Sequence, residues 1–281
     1  REGNVFRPSA SASVGWLAGQ ILLEAPLKKE RGAVLFSARK SFLSPIFKQM
    51  SRREAEADGI SWQSDYSFYD LNFKINWSFD PQNRVYLSLF STGDRFSDSS
   101  LVNQVFQQPD SLPFGFSVFS ESEQSWRNRF ASLRWNHVFS EKCFSNTTLT
   151  ASRFDLRSST REQVTFDGQI YDFPNQALSQ TELRDYSART DVDWLAGERL
   201  TVRGGGQVSL TQILPFFYFG IGALPQVEWV EYEDETQTLS RGNDLNFENG
   251  LTLALHGEAD WSPWRRARLR AGFRAESFSN G

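Results

Sequence analysis

From Tyr69 to Asp80 apolar and polar residues alternate without a miss. Tyr69, Leu71, Phe73, Ile75, Trp77 and Phe79 hold one register, and Asp70, Asn72, Lys74, Asn76, Ser78 and Asp80 hold the other. Period two is the mark of a β-strand with two unlike faces, and an amphipathic helix does not produce it. At about 3.3 Å per residue the run spans roughly 40 Å, about twice the usual strand of a globular protein.

The pattern recurs along the chain. Ala131, Leu133, Trp135 and Phe139 alternate with Ser132, Arg134 and Asn136. Tyr186, Ala188, Val192 and Trp194 alternate with Ser187, Arg189, Asp191 and Asp193. Leu200, Val202, Val208 and Leu210 oppose Thr201, Arg203, Gln207 and Ser209. Leu251, Leu253, Leu255, Ala259 and Trp261 oppose Thr252, His256, Glu258 and Asp260, and Ala267, Leu269, Ala271, Phe273 and Ala275 oppose Arg268, Arg270, Arg274 and Glu276. Weaker strands are expected at 11–27 (one strand, or two broken near Gly19), 34–42, 84–94 and 143–155. That makes about ten strands. The segment 44–58 has room for a short helix, bracketed by Pro45 and Gly59.

The connections alternate in length. Short turns are expected at 28–32, 80–83, 140–142, 197–199 and 262–266, and long polar loops at 43–67, 96–124, 157–182 and 212–246. This alternation is how an up-and-down outer-membrane barrel is threaded. The expected fold is therefore all-β: an antiparallel up-and-down transmembrane β-barrel, present in part as one domain over residues 1–281.

Composition narrows the classes. Of 281 residues, 25 are Phe, 9 Trp and 7 Tyr, while the mean hydropathy is only −0.48. No run of about 18 apolar residues exists to form a membrane-spanning helix, but a β-barrel needs only alternate residues to be apolar. The net charge of −4 lacks the basic excess of a nucleic-acid binder. One cysteine and two histidines leave no disulfide framework or zinc cluster, and no metal site or cofactor is expected.

An apolar strand face meets either lipid or a protein core. Trp77, Trp135, Trp194 and Trp261 favour lipid, because all four lie on the apolar register within about five residues of a short turn, as an interfacial aromatic girdle requires. The charges on the opposite register suit a hydrated or plugged lumen. A soluble all-β adhesin or carbohydrate-binding module is the rival reading, and it would place the same aliphatic residues inside.

Four segments carry a resemblance to a family. They are 22–29 with 34–42 (Leu22-Leu23-Glu24-Ala25-Pro26-Leu27-Lys28-Lys29, then Val34 to Phe42), 68–76 (Phe68-Tyr69-Asp70-Leu71-Asn72), 132–148 (Leu133-Arg134-Trp135-Asn136, then Phe144-Ser145-Asn146-Thr147-Thr148) and 271–274 (Ala271-Gly272-Phe273-Arg274). In this order they resemble TonB-dependent outer-membrane receptors of the Bacteroidota type; Ala25 departs from that family's usual Gly. The resemblance implies a barrel of roughly 22 strands around a plug, of which this chain supplies about ten. It implies import of a scarce ligand (an oligosaccharide, peptide or metal chelate), across the outer membrane of a Gram-negative bacterium. The implied partners are outer-membrane lipid, a plug domain, the energy-transducing TonB system and a surface lipoprotein. The first residue, Arg1, and the last, Gly281, are read as cut ends of a longer chain that holds the plug. A passive porin-like channel is the second reading.

No nucleophile–base set is evident, and no enzyme is expected. Gly204-Gly205-Gly206 lacks the Lys-Ser/Thr pair of a phosphate loop and reads as room for a close backbone approach. Asp191, Asp193 and Glu258 are expected to pair with Arg189, Arg203 and Arg268 rather than hold a cation. His137 is expected at the interface and His256 on the lumen face. The candidate ligand contacts are Phe216, Phe217, Tyr218, Phe219, Trp229 and Tyr232, set among five carboxylates, since exposed aromatics beside acids grip sugars, peptides or chelates; Phe114, Phe116 and Phe119 are a second aromatic group.

Overall fold

The computed structural model describes residues 2–58, 61–106, 114–166, 169–171, 175–221, 247–264 and 267–280. Among them twelve strands form one antiparallel sheet: β1 (Ser9–Val14), β2 (Ala18–Lys28), β3 (Gly32–Ser41), β4 (Ser61–Ser78), β5 (Asn83–Phe106), β6 (Phe114–Ser140), β7 (Cys143–Phe166), β8 (Gln169–Tyr171), β9 (Asn175–Gly197), β10 (Leu200–Ile221), β11 (Glu248–Trp264) and β12 (Ala267–Asn280). Strands pair in chain order, except that β8 pairs only β7 and β9 returns to β7. The sheet does not close, since β1 and β12 each have one neighbour. One helix, α1 (Leu43–Asp58), lies between β3 and β4. The break near Gly19 falls slightly earlier than expected, between Val14 and Ala18.

Much of the expected long loops at 96–124 and 157–182 is strand, as is 212–221 of the last, while the loop expected at 43–67 is mostly α1. β5 runs on to Phe106 and β6 starts at Phe114; β7 reaches Phe166 and β9 starts at Asn175; β10 reaches Ile221. In parts of these extensions both registers are polar, as in Ser97-Asp98-Ser99-Ser100 opposite Ser120 to Glu123, whereas the end of β10, Ile213 to Ile221, has no polar register at all. Two faces that meet the same solvent leave no period-two signal, while the backbone ladder forms regardless of side chain.

β4 overhangs β3. Pairing with β3 ends at Lys40↔Tyr69, whereas β4 begins at Ser61. Side chains satisfy the amides of the bare edge. Ser51 Oγ of α1 accepts from Ser64 N at 3.0 Å, and Ser41 Oγ accepts from Phe68 N at 2.8 Å. Asp65 accepts from the Tyr66 backbone and pairs with Lys48 of α1 at 3.3 Å. Phe47 packs beside Tyr66, ring centroids 6.0 Å apart. The helix thus stands where a strand would continue, and the edge amides of Ser64, Tyr66 and Phe68 are satisfied there.

The registers join the strand faces into two continuous surfaces. Phe36, Phe73, Leu89, Ala131, Ala151 and Tyr186 form one transverse row, and Lys74, Ser88, Ser132 and Thr150 belong to the other face. Every apolar set read from the sequence lands on the same side. Among the described residues no second layer covers either face, yet their exposure differs. Leu133, Trp135, Trp194, Leu253 and Trp261 are 42–51% exposed on the apolar side, while most buried strand side chains, Ser64, Asn76, Ser209 and Asp260 among them, are on the polar side; Ser145, Glu182 and Leu214 are the exceptions, buried on the apolar side. An uncovered sheet crowds the side chains of one face when it curves toward that face, so the polar face is the concave one.

Candidate functional site: an apolar belt and a charged concave wall

The belt can be measured on the strands. The apolar register carries no Asp, Glu, Lys or Arg from Trp77 to Tyr69 on β4, Phe139 to Ala131 on β6, Trp194 to Tyr186 on β9 and Trp261 to Leu251 on β11. Those stretches are nine, nine, nine and eleven residues long, and a tilted transmembrane strand needs about 9–11.

The tryptophans lie toward the short-turn end of the sheet and step with it. The hydrogen-bonded row through Trp77 passes Val85, Trp135, Thr147, Thr190, Gly206 and Leu255. Trp194 lies four residues nearer the short turns than Thr190, and Trp261 six nearer than Leu255. Trp77 and Trp135 share the row, and the offset reaches four residues on β9 and six on β11, an average of about one residue per strand over the six steps from β4 to β11, and the short turns drift with it. With about 3.3 Å rise and 4.8 Å strand spacing, the drift corresponds to a tilt of roughly 35°, the range of barrel strands. The indole N–H of Trp135 donates to Asn83 Oδ1 at 3.2 Å in the adjoining turn region. His137 Nδ1 meets the same oxygen at 2.7 Å, and its ring stands edge-on to Phe139, 4.4 Å between centroids. His137 thus lies on the apolar register beside the turn, next to Trp135, ring centroids 5.3 Å apart.

The concave wall carries a ladder of ion pairs across β9 to β12. Arg189 meets Asp191 at 2.7 Å, and Arg203 bridges Asp193 at 2.9 Å and Glu258 at 3.2 Å. Arg270 joins Glu258 at 3.4 Å and Asp260 at 3.1 Å. Arg268 pairs with Asp260 rather than with the three carboxylates expected. His256 Nε2 lies 3.2 Å from Asp191. These acids are matched by arginines, and among the described residues no cluster of three potential metal ligands occurs. A Cβ on Gly205 would lie 2.5 Å from the Thr190 carbonyl oxygen and 2.7 Å from the His256 ring. The glycine admits the close approach the sequence suggested.

The N-terminal segment also lies on this wall. Asn76 Nδ2 donates to the Glu2 carbonyl, and Arg134 Nη2 to Glu2 Oε1 at 3.1 Å. Gly3 turns there with φ +89°, close against Ala33 and Val34. Beneath it Ala33 and Leu35 are buried. A hollow of about 270 Å³ adjoins it, lined by Glu2, Lys74, Asn76, Tyr86, Ser132 and Arg134. The Arg134 guanidinium covers the Tyr86 ring at 4.1 Å. Sequence reading missed this arrangement because 2–8 has no periodicity; its one signal is an acid and a glycine ahead of the first strand.

Of the expected ligand contacts, Phe216, Phe217, Tyr218 and Phe219 are in β10, not in a loop, with backbone partners Gln180, Ser179, Leu178 and Ala177. Trp229 and Tyr232 lie outside the described residues. Phe116 and Phe119 likewise belong to β6, paired with Gln104 and Leu101, and Phe114 opens that strand.

No family model matches the chain, and no curated protein matches it. Among solved structures, the copper transporter OprC is similar over 97% of this chain and 46% of its own, at 10% identity and a TM-score of 0.42. The ferric yersiniabactin uptake receptor FyuA from Yersinia pestis is similar over 95% of this chain and 53% of its own, at 12% identity and a TM-score of 0.26. The chain spans about half the length of each.

Proposed function

We propose that the chain is part of the wall of a TonB-dependent outer-membrane receptor of the Bacteroidota type, which imports a scarce ligand. The observation that carries this reading is the inverted distribution of polarity. The exposed convex face is apolar for about the length a bilayer requires, and the concave face holds the charge. A charged residue facing lipid at mid-height of a barrel costs about 2–4 kcal/mol for Arg or Lys, and a soluble barrel has the opposite arrangement. The four sequence segments that resemble the family add the transport role.

In this reading the concave wall faces a plug, and Glu2 and Gly3 carry the chain onto that wall. The energy comes from the inner membrane through the TonB system. The ligand class remains an oligosaccharide, a peptide or a metal chelate, with a surface lipoprotein as a further partner. The wall positions ligand and plug and performs no chemistry.

The test uses the full-length protein in a Gram-negative host. It is expected to fractionate with the outer membrane, and cells that express it accumulate ligand only with an intact proton-motive force. Recovery as a monomer in aqueous buffer without detergent contradicts the membrane reading. Steady ion conductance in planar bilayers, with no energy source, favours the passive channel.

A further inference from the structure

Three arginines stand side by side immediately above the apolar belt. Arg129 on β6 is directly opposite Arg153 on β7, and Arg153 is directly opposite Arg184 on β9. All three occupy the apolar register, one step beyond Ala131, Ala151 and Tyr186. The next row outward is Arg127, Asp155 and Glu182, and the one after it holds Arg157. Five arginines face two carboxylates in this patch, an excess of three positive charges.

Like charges directly opposed across a sheet repel. Glu182 relieves part of the repulsion. It is 4% exposed, and it takes Arg153 at 3.0 Å and Arg184 at 2.5 Å. Arg153 also meets Asp155 at 2.9 Å, and Arg184 lies over the Phe247 ring at 4.3 Å. Arg127, Arg129 and Arg157 are exposed and have no ion pair among the described residues. The buried glutamate thus fixes two guanidinium groups beside a third whose charge is unmatched. Adjacent strands are about 4.8 Å apart, so the row spans about 10 Å, the scale of a phosphorylated head group.

We propose that this row binds the phosphate groups of anionic lipid in the outer leaflet. The proposal rests on the outer-membrane reading, which puts the row at head-group height, in contact with the lipid that covers the belt below. Guanidinium groups bind phosphate through paired N–H donors, and anionic lipid is the one source held there at high local concentration. The row anchors the barrel at a fixed height and offsets its own repulsion when lipid is bound.

The test reconstitutes the full-length protein in phosphatidylcholine nanodiscs with and without phosphatidylglycerol, and follows thermal unfolding and lipid retention by native mass spectrometry. Anionic lipid is expected to raise the melting temperature, and salt to reduce the gain. Arg127→Ala with Arg129→Ala, which breaks no ion pair, removes most of it, with retention about fivefold weaker per arginine lost; Arg129→Lys keeps part. An equal response in the wild type and the double variant overturns the proposal. So does a rise of the same size with free inorganic phosphate, or with soluble polyglutamate, which would indicate an acidic protein partner instead. Failure of the wild type to enter bilayers at all overturns the outer-membrane reading, and this proposal with it.

Discussion

Ser51 Oγ accepts the backbone N–H of Ser64 at 3.0 Å, at a level of β4 that β3 does not reach. Ser51 is buried, so no water replaces it there. Ser51→Ala is expected to cost about 1–3 kcal/mol, the penalty of an unsatisfied buried donor. Hydrogen exchange read at the Ser64 amide checks this. Protection unchanged from the wild type would mean that α1 does not hold the edge.

Tyr66 donates to Asp94 Oδ1 at 2.7 Å on the same overhang. Burial, and then the Asp94 carboxylate, pushes its hydroxyl up to about 12. The unfolded value is about 10. The folded value is the higher, so the stabilisation is whole below about pH 10 and is lost as pH rises toward 12. Tyr66→Phe is expected to flatten that alkaline loss and to remove one late component from the tyrosinate absorbance titration. An unchanged titration in the variant would show that Tyr66 ionises as an ordinary tyrosine.

Gly205 and Gly115 are both strand glycines with different surroundings. A Cβ at Gly205 meets backbone at 2.5 Å, whereas at Gly115 nothing lies within 4 Å. Gly205→Ala is expected to destabilise by about 1–3 kcal/mol, as forced overpacking does, and Gly115→Ala to be neutral or slightly stabilising. Urea unfolding in lipid vesicles compares them. Equal midpoints would show that β9 to β11 yield without strain.

The strand faces were legible in the sequence wherever two solvents meet the two faces. Leu133 and Arg134 lie on opposite faces, and Trp77, Trp135, Trp194 and Trp261 share the apolar face. Where both faces meet the same solvent, no alternation marks the strand. Ser97 to Ser100 and Ser120 to Glu123 read as loop, yet they are paired strand. Phe216 to Phe219, in β10, show no alternation because all four are aromatic. The arginine row was hidden for a different reason: Arg129, Arg153 and Arg184 are far apart in sequence, and only the register makes them neighbours.

Ser132 and Leu133 are adjacent in β6 but belong to opposite faces. Leu133→Arg is expected to cost about 2–4 kcal/mol in lipid, whereas Ser132→Arg, on the charged wall, costs much less. Refolding yield into vesicles and urea midpoints measure the difference. A larger loss at Ser132 would reverse the two faces.

The outward orientation of the belt is tested most directly by spin labels placed one at a time at Ala131, Ser132, Leu133 and Arg134. The labels go into the full-length protein in bilayers, in a Cys143→Ser background. Each label is exposed in turn to oxygen, which concentrates in lipid, and to a water-soluble nickel chelate. The account predicts a period of two, with oxygen relaxing the labels at 131 and 133 most and the chelate relaxing those at 132 and 134. The opposite phase, or equal access of the chelate to all four, would contradict a lipid-facing apolar belt.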